Sequence, residues 1–163
     1  MINILDKYIN QLLKAGINNA KNEINWFLEQ KFHFRKENIL LKNISLSDNQ
    51  LKTLKNFIKR RIKKEPFQYI VNSAPFFGIN FYVNEHVLIP RPETETIINI
   101  LINNKKTFNS ALDLCTGSGN LALLLSLKGI SKHITAIDNS TKALEVSKKN
   151  FKEHNIKNID CIH

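Results

Sequence analysis

Apolar residues return every three or four positions through the first 64 residues, then every second position for a short stretch, and this change of period divides the chain. Ile4, Leu5, Tyr8, Ile9, Leu12 and Leu13 form a helical stripe, and Gly16 is placed to end it. Ile24, Phe27 and Leu28 mark a second helix. A third begins at Ser47, with Gln50 three residues on as in a capping box and Leu46 set to staple onto Leu51. Its stripe runs through Leu54, Phe57, Ile58 and Ile62, and Pro66 forces the exit. Beyond it, Phe67, Tyr69 and Val71 alternate with other residues, as do Phe77, Ile79, Phe81 and Val83. With Asn72-Ser73-Ala74-Pro75 as the turn, residues 67–83 are predicted to form a β-hairpin.

The next segment, Val87 to Glu95, leads into a helix. Pro92 suits its first turn, and Glu93 and Glu95 suit the positive end of its dipole. Ile97, Ile98, Leu101 and Ile102 give that helix its apolar face. From residue 110 the pattern alternates: a strand at Ala111–Leu114, a helix from Leu121 to Leu127 closed by Gly129, and a strand at Ile134–Ile137. A helix capped by Ser140 then runs to about His154, and a third strand occupies Asn158–Ile162. Strands separated by helices imply a parallel sheet with right-handed crossovers. The predicted organisation is α/β: a helical domain over 1–64, a β-hairpin connector over 65–86, and a Rossmann-like domain over 87–163.

Apolar residues make up 42% of the 163, enough for a core and too many for a disordered chain. No apolar stretch approaches the ~20 residues of a membrane span. Met1 to Asn10 lacks the basic-then-apolar order of a secretory signal. The expectation is a soluble cytoplasmic protein. Cys115 and Cys161 sit in apolar, strand-like surroundings without Cys-x-x-Cys or Cys/His spacing, so neither zinc nor a disulfide is expected. The formal charge is +10, from 24 Lys+Arg against 14 Asp+Glu. The chain is rich in Lys, Asn and Ile throughout, and its basic residues look dispersed apart from Lys59-Arg60-Arg61 and Lys63-Lys64. The charge is therefore assigned to compositional skew rather than to a nucleic-acid site.

The chemistry concentrates in Asp113-Leu-Cys-Thr-Gly-Ser-Gly-Asn120, which follows one predicted strand and opens a predicted helix. Gly117 and Gly119 permit a sharp turn and close approach of a ligand. Asp138 ends the next strand, 19 residues after Gly119, where an acid can accept hydrogen bonds from ribose hydroxyls. It could equally cap the following helix, and Ser118 could be an ordinary turn residue. Asp113 is assigned to holding the loop. These residues point to a nucleoside cofactor without separating a methyl donor from a dinucleotide, since Ala122 at the third glycine position is allowed in either.

A more specific signal comes from whole strings. Leu88-Ile-Pro-Arg-Pro-Glu-Thr-Glu95, lying ahead of Asp-Leu-Cys-Thr-Gly-Ser-Gly, resembles the release-factor glutamine methyltransferase family of HemK/PrmC type. Glu65-Pro-Phe-Gln-Tyr-Ile, Phe76-Phe-Gly-Ile-Asn-Phe and Ala136-Ile-Asp138 followed by Ala143 are similar to the same family. The resemblance runs over nearly the whole chain and is weakest over residues 1–60. It implies a class I methyltransferase sheet and S-adenosylmethionine as cofactor. Cys115, Thr116, Gly117, Ser118 and Gly119 would wrap the methionine part, and Asp138 would hold the ribose. Cys115 stands where glycine is commonest in the family. Pro90-Arg91-Pro92 would lie near the substrate cleft, though a rigid helix lead-in explains it as well. The implied substrate is the glutamine of the Gly-Gly-Gln motif in peptide chain release factors.

The family's catalytic element, Asn-Pro-Pro-Tyr, is not present in these 163 residues, so no catalytic residue is assigned. Relative to the family the chain is expected to be C-terminally truncated, a fragment or a decayed protein, with three strands of a larger sheet, weak cofactor binding and impaired activity. Two other readings stand beside the enzyme: a non-catalytic module that binds a release factor, and a methyltransferase acting on nucleic acid. The helical domain and the Ile-Pro-Arg-Pro-Glu-Thr-Glu string favour a protein substrate over a nucleic-acid one.

Overall fold

The computed structural model describes residues 4–41 and 43–163. Residues 1–3 and 42, within the predicted helical domain, lie outside the described residues. The chain divides into two compact units, Met1–Val71 and Asn72–His163.

The first unit is helical: α1 Ile4–Lys14, α2 Ala20–Phe32, α3 Lys36–Leu40, α4 Asp48–Ile62 and α5 Phe67–Val71. Leu12, Ile24, Phe27, Leu28, Leu54 and Phe57 form the centre of its core, with Phe27 and Phe57 stacked at 4.3 Å. The capping box forms as predicted, with Ser47 Oγ accepting from Gln50 N at 3.3 Å and Gln50 Oε1 accepting from Ser47 N at 2.9 Å. Gly16, at φ +73°, ends α1, and Ile17 N–H closes back onto Leu12 O. Ile62 departs from the predicted stripe. It is 41% exposed, while Arg61 is buried and forms a two-pronged pair with Glu23 of α2, at 2.7 and 3.0 Å. The short α3 has no counterpart in the apolar pattern.

The predicted first strand of the hairpin is a helix. Pro66 O accepts hydrogen bonds from Tyr69 N and Ile70 N, and a helix begun at proline loses nothing by the missing N–H. The buried residues of this segment are the neighbours Ile70 and Val71 rather than an alternating set. Asn72, at φ +57°, follows the helix. The true hairpin is shorter and begins later: β1 Ala74–Phe76 and β2 Ile79–Phe81, paired antiparallel. Its turn is Phe77-Gly78, not Asn72–Pro75. Both turn residues have positive φ, the geometry whose twist suits a two-residue hairpin.

The hairpin belongs to the second unit. A 3₁₀ turn at Pro92–Thr94 leads into α6 Glu95–Asn103, followed by β3 Phe108–Leu114, α7 Asn120–Leu127, β4 Ser131–Ile137, α8 Thr141–Glu153 and β5 Ile159–Ile162. The three strands are parallel in the order β3-β4-β5, so the unit is α/β and Rossmann-like as predicted. β3 starts three residues before the predicted strand. Ser140 caps α8 through Ala143 N, as expected. Phe81, Ile98, Leu123, Leu124, Ile134 and Ala136 make the core. In α6, Ile98 is buried but Ile97 and Ile102 are exposed. Glu95 accepts a hydrogen bond from Phe77 N at 2.7 Å, tying the hairpin turn to α6. Among the described residues β3 pairs only with β4, and its Leu112 and Leu114 are exposed.

Candidate cofactor-binding site

The turn between β3 and α7 is held by its own polar groups. Thr116 N donates to Ile137 O of β4 at 2.9 Å, and Gly119 N donates to Thr116 O at 2.8 Å. Asp113, near the end of β3, accepts from Thr116 Oγ1 at 2.7 Å and from Ala122 N at 3.3 Å through one carboxylate oxygen. It buckles the turn to the first turn of α7, the role assigned to it. Burial pushes the Asp113 carboxyl above the ordinary aspartate range, against the two hydrogen bonds that pull it down. The nearby Asp138 charge adds to the rise.

Three residues of the turn have positive φ: Cys115 at 59°, Gly117 at 56° and Gly119 at 77°. Cys115 is exposed in the turn, not set in a strand. It holds a left-handed conformation that costs an L-residue roughly 1–2 kcal/mol and that a glycine would adopt without that strain. The two glycines do different jobs. A Cβ on Gly117 would have Cys115 O as its nearest neighbour, at 3.9 Å, so the outer face of this residue is open. At Gly119 a Cβ would lie 2.5 Å from the Phe151 ring and 3.0 Å from Ser147 Cβ, so this glycine lets α8 pack against the turn.

Asp138 is 8% exposed. Its Oδ2 accepts from Gly117 N and its Oδ1 from Ser140 N, both at 2.9 Å. Each oxygen keeps a second acceptor site. The side-chain cap of α8 is Ser140, while Asp138 joins the end of β4 to the glycine turn.

Sequence reasoning misses one contributor. Asn150 of α8 is fully buried. Its Oδ1 accepts from Tyr82 N at 2.7 Å, and its Nδ2 donates to Tyr82 O at 3.0 Å and to Ser118 O at 2.8 Å. It fastens the segment after the hairpin to the turn. A polar residue on the buried stripe of α8, beside Ala143, Ser147 and Phe151, is the only sign of it in the sequence.

The turn opens onto a cleft of ≈ 200 Å³. Cys115, Thr116, Gly117 and Ser118 line one side, and Leu88, Ile89, Pro90 and Arg91 line it with them. Gly119 and Asp138 are not among the residues that line it. The Ile-Pro-Arg-Pro segment and the glycine turn, well separated in the chain, thus share one cleft.

A parallel β–α–β sheet with such a turn after its first strand and an acid after its second defines a Rossmann-like, nucleoside-binding class of domain, and the family match makes it a methyltransferase domain. Residues 92–163 match the methyltransferase small domain, and residues 3–71 match the PrmC N-terminal domain. The chain belongs to the release factor glutamine methyltransferase family. It is 41% identical to the release factor glutamine methyltransferase of Thermodesulfovibrio yellowstonii over 72% of this chain and 43% of that protein. It is 41% identical to that of Coxiella burnetii over 74% and 44%. A bifunctional methyltransferase of Rickettsia typhi is 31% identical over 98% of this chain and 35% of its own length. Among solved structures, an S-adenosylmethionine-dependent methyltransferase from Clostridium acetobutylicum aligns with 43% of this chain and 28% of its own, at 30% identity and a TM-score of 0.35. The chain spans less than half the length of the relatives it matches. No helix among the described residues is long and apolar enough to cross a membrane.

Proposed function

We propose that this chain supplies the recognition unit and the cofactor-binding part of an enzyme that methylates the glutamine of the Gly-Gly-Gln motif in peptide chain release factors. S-adenosylmethionine supplies the methyl group when bound. The observation that carries the reading is the shared cleft, in which the Leu88–Arg91 segment meets the Cys115–Ser118 turn. Family membership gives that cleft its chemistry.

The residues fit such a cofactor. Gly117 leaves the turn's outer face open to a bulky group, and Asp138 has acceptor sites left over for hydroxyls. Cys115, Thr116, Gly117, Ser118 and Gly119 shape the cradle, and Asp138 holds the ribose side. The helical unit, to Val71, serves substrate recognition, and the α/β unit from Asn72, hairpin included, holds the cofactor. None of the 163 residues is assigned to the chemical step. An amide nitrogen is a poor nucleophile, because its lone pair is delocalised into the carbonyl. It needs two acceptors for its N–H groups to aim that lone pair, and the Asn-Pro-Pro-Tyr that would supply them is not in this sequence.

The test joins this chain to the remaining C-terminal part of the Thermodesulfovibrio relative. With labelled cofactor the chimera should methylate the Gly-Gly-Gln glutamine of a release factor, and the 163-residue chain alone should not exceed background. Label appearing on nucleic acid instead of the release factor would overturn the reading.

A further inference from the structure

The positive charge is not spread over the molecule. Residues 1–71 carry 14 Lys+Arg and 6 Asp+Glu, and residues 72–163 carry 10 and 8. Of the +10 net charge, +8 therefore belongs to the helical unit. A compositional skew acts on both halves of a gene alike, so the assignment of the charge to skew does not survive this division.

Within that unit the charge gathers on α4 and the two residues after it. From Lys52 to Lys64 there are seven basic residues and no acid. Three members of this run have local partners: Arg61 pairs with Glu23, Arg60 with Glu65, and Lys64 donates to the carbonyls of Ala15 and Gly16. Lys52, Lys55 and Lys59 are exposed and form no ion pair with any described residue. They stand on one face at i, i+3 and i+7, which spaces them about 4.5 and 6 Å along the axis at 1.5 Å per residue. With Thr53 and Asn56 they line a shallow groove of ≈ 440 Å³ that contains neither an acidic nor an apolar side chain.

We infer that this face of α4 docks the phosphate backbone of an RNA strand, as a binding partner and not as the methylated substrate. Protein–protein interfaces have an apolar centre and are depleted in lysine. Nucleic-acid interfaces are polar and strongly positive, and every side chain lining this groove ends in a polar or positive group. A row of unpaired ammonium groups suits phosphates read without sequence preference. The exposed Asn56 carboxamide, donor and acceptor in one group, matches the 2′-hydroxyl that separates RNA from DNA. The inference goes beyond the proposed methylation and does not depend on it.

The test measures binding of a fluorescent single-stranded RNA, about 20 nucleotides long, to the 163-residue chain across a salt series. Log affinity falls with log salt by about 0.7 per phosphate contact for single strands. K52Q/K55Q/K59Q should reduce the magnitude of that slope by about 2 and weaken binding, with the thermal melt unchanged. The control K132Q/K142Q/K157Q removes three exposed lysines from the second unit and should leave the slope close to that of the parent. Equal losses from both triple variants would return the charge to a general, unlocalised effect and overturn the inference. So would displacement of the RNA by polyglutamate only, and not by polyphosphate at matched charge, which would indicate an acidic protein partner. DNA of the same sequence binding as tightly as RNA would overturn the choice of RNA.

Discussion

At the scale of single residues, Gly117 and Gly119 share a motif and a positive φ but face different surroundings. Gly117→Ala adds only the left-handed strain, and should cost roughly 1–2 kcal/mol of stability. Gly119→Ala adds a methyl group against Phe151 and Ser147 as well, and overpacking typically costs a further ~1–3 kcal/mol. Chemical denaturation of the two variants should place Gly119→Ala clearly below Gly117→Ala; equal losses would show that the contact with α8 is not formed. Asp113 makes a pH-dependent statement. Its folded carboxyl is raised above the ordinary range, chiefly by burial. The native state therefore holds this proton to higher pH than the unfolded chain does. Stability from this group falls as pH rises from the unfolded value through the folded one, and is flat above it. Asp113→Asn keeps an oxygen for Thr116 and Ala122 and cannot ionise. Its stability relative to the parent should rise over that window. A constant difference across the titration would refute the shift. The strings around these residues make the turn and Asp138 legible in the sequence. The different duties of the two glycines are not, because what presses on Gly119 comes from α8, in a later element of the fold.

At the scale of elements, legibility follows how local the cause is. The capping box of α4 and the serine cap of α8 are written within four residues, and both form as the sequence predicts. The helix α5 reads as a strand, because alternation of Phe67, Tyr69 and Val71 imitates one while Pro66 and burial of Ile70 and Val71 select a helical turn. Gly78 marks the real hairpin turn, but the Asn72–Pro75 cluster carries the stronger local turn signal. In α4 the apolar stripe predicts Ile62, where Arg61 enters instead because Glu23 receives it. That partner lies 38 residues away and no periodicity discloses it. The pair also yields a stability test. Removing one member of a buried ion pair leaves the other charge without compensation and typically costs about 3–5 kcal/mol. Glu23→Ala should lower the stability of the helical unit by an amount in that range, whereas Glu23→Leu with Arg61→Met should recover most of it. A loss from Glu23→Ala of less than about 1 kcal/mol, as for surface pairs, would mean that the bridge is solvated.

At the scale of the whole molecule, the two units differ in charge as well as in fold. The helical one carries most of the positive charge, and the α/β one carries the glycine turn, its supporting Asp113, Asp138 and Asn150, and the Leu88–Arg91 side of the cleft. The division of charge is already countable at the predicted boundary, where residues 1–64 hold 14 Lys+Arg and 5 Asp+Glu. The central claim, that the glycine turn and Asp138 hold S-adenosylmethionine, is tested most directly by calorimetric titration of the cofactor into the chimera with the Thermodesulfovibrio C-terminal part, and into its Asp138→Ala variant. Hydrogen bonds to a charged group contribute about 1.5–3 kcal/mol, so the variant should bind at least about tenfold more weakly, at 1.4 kcal/mol per tenfold. Binding by the variant as tight as by its parent would place the cofactor somewhere other than this turn.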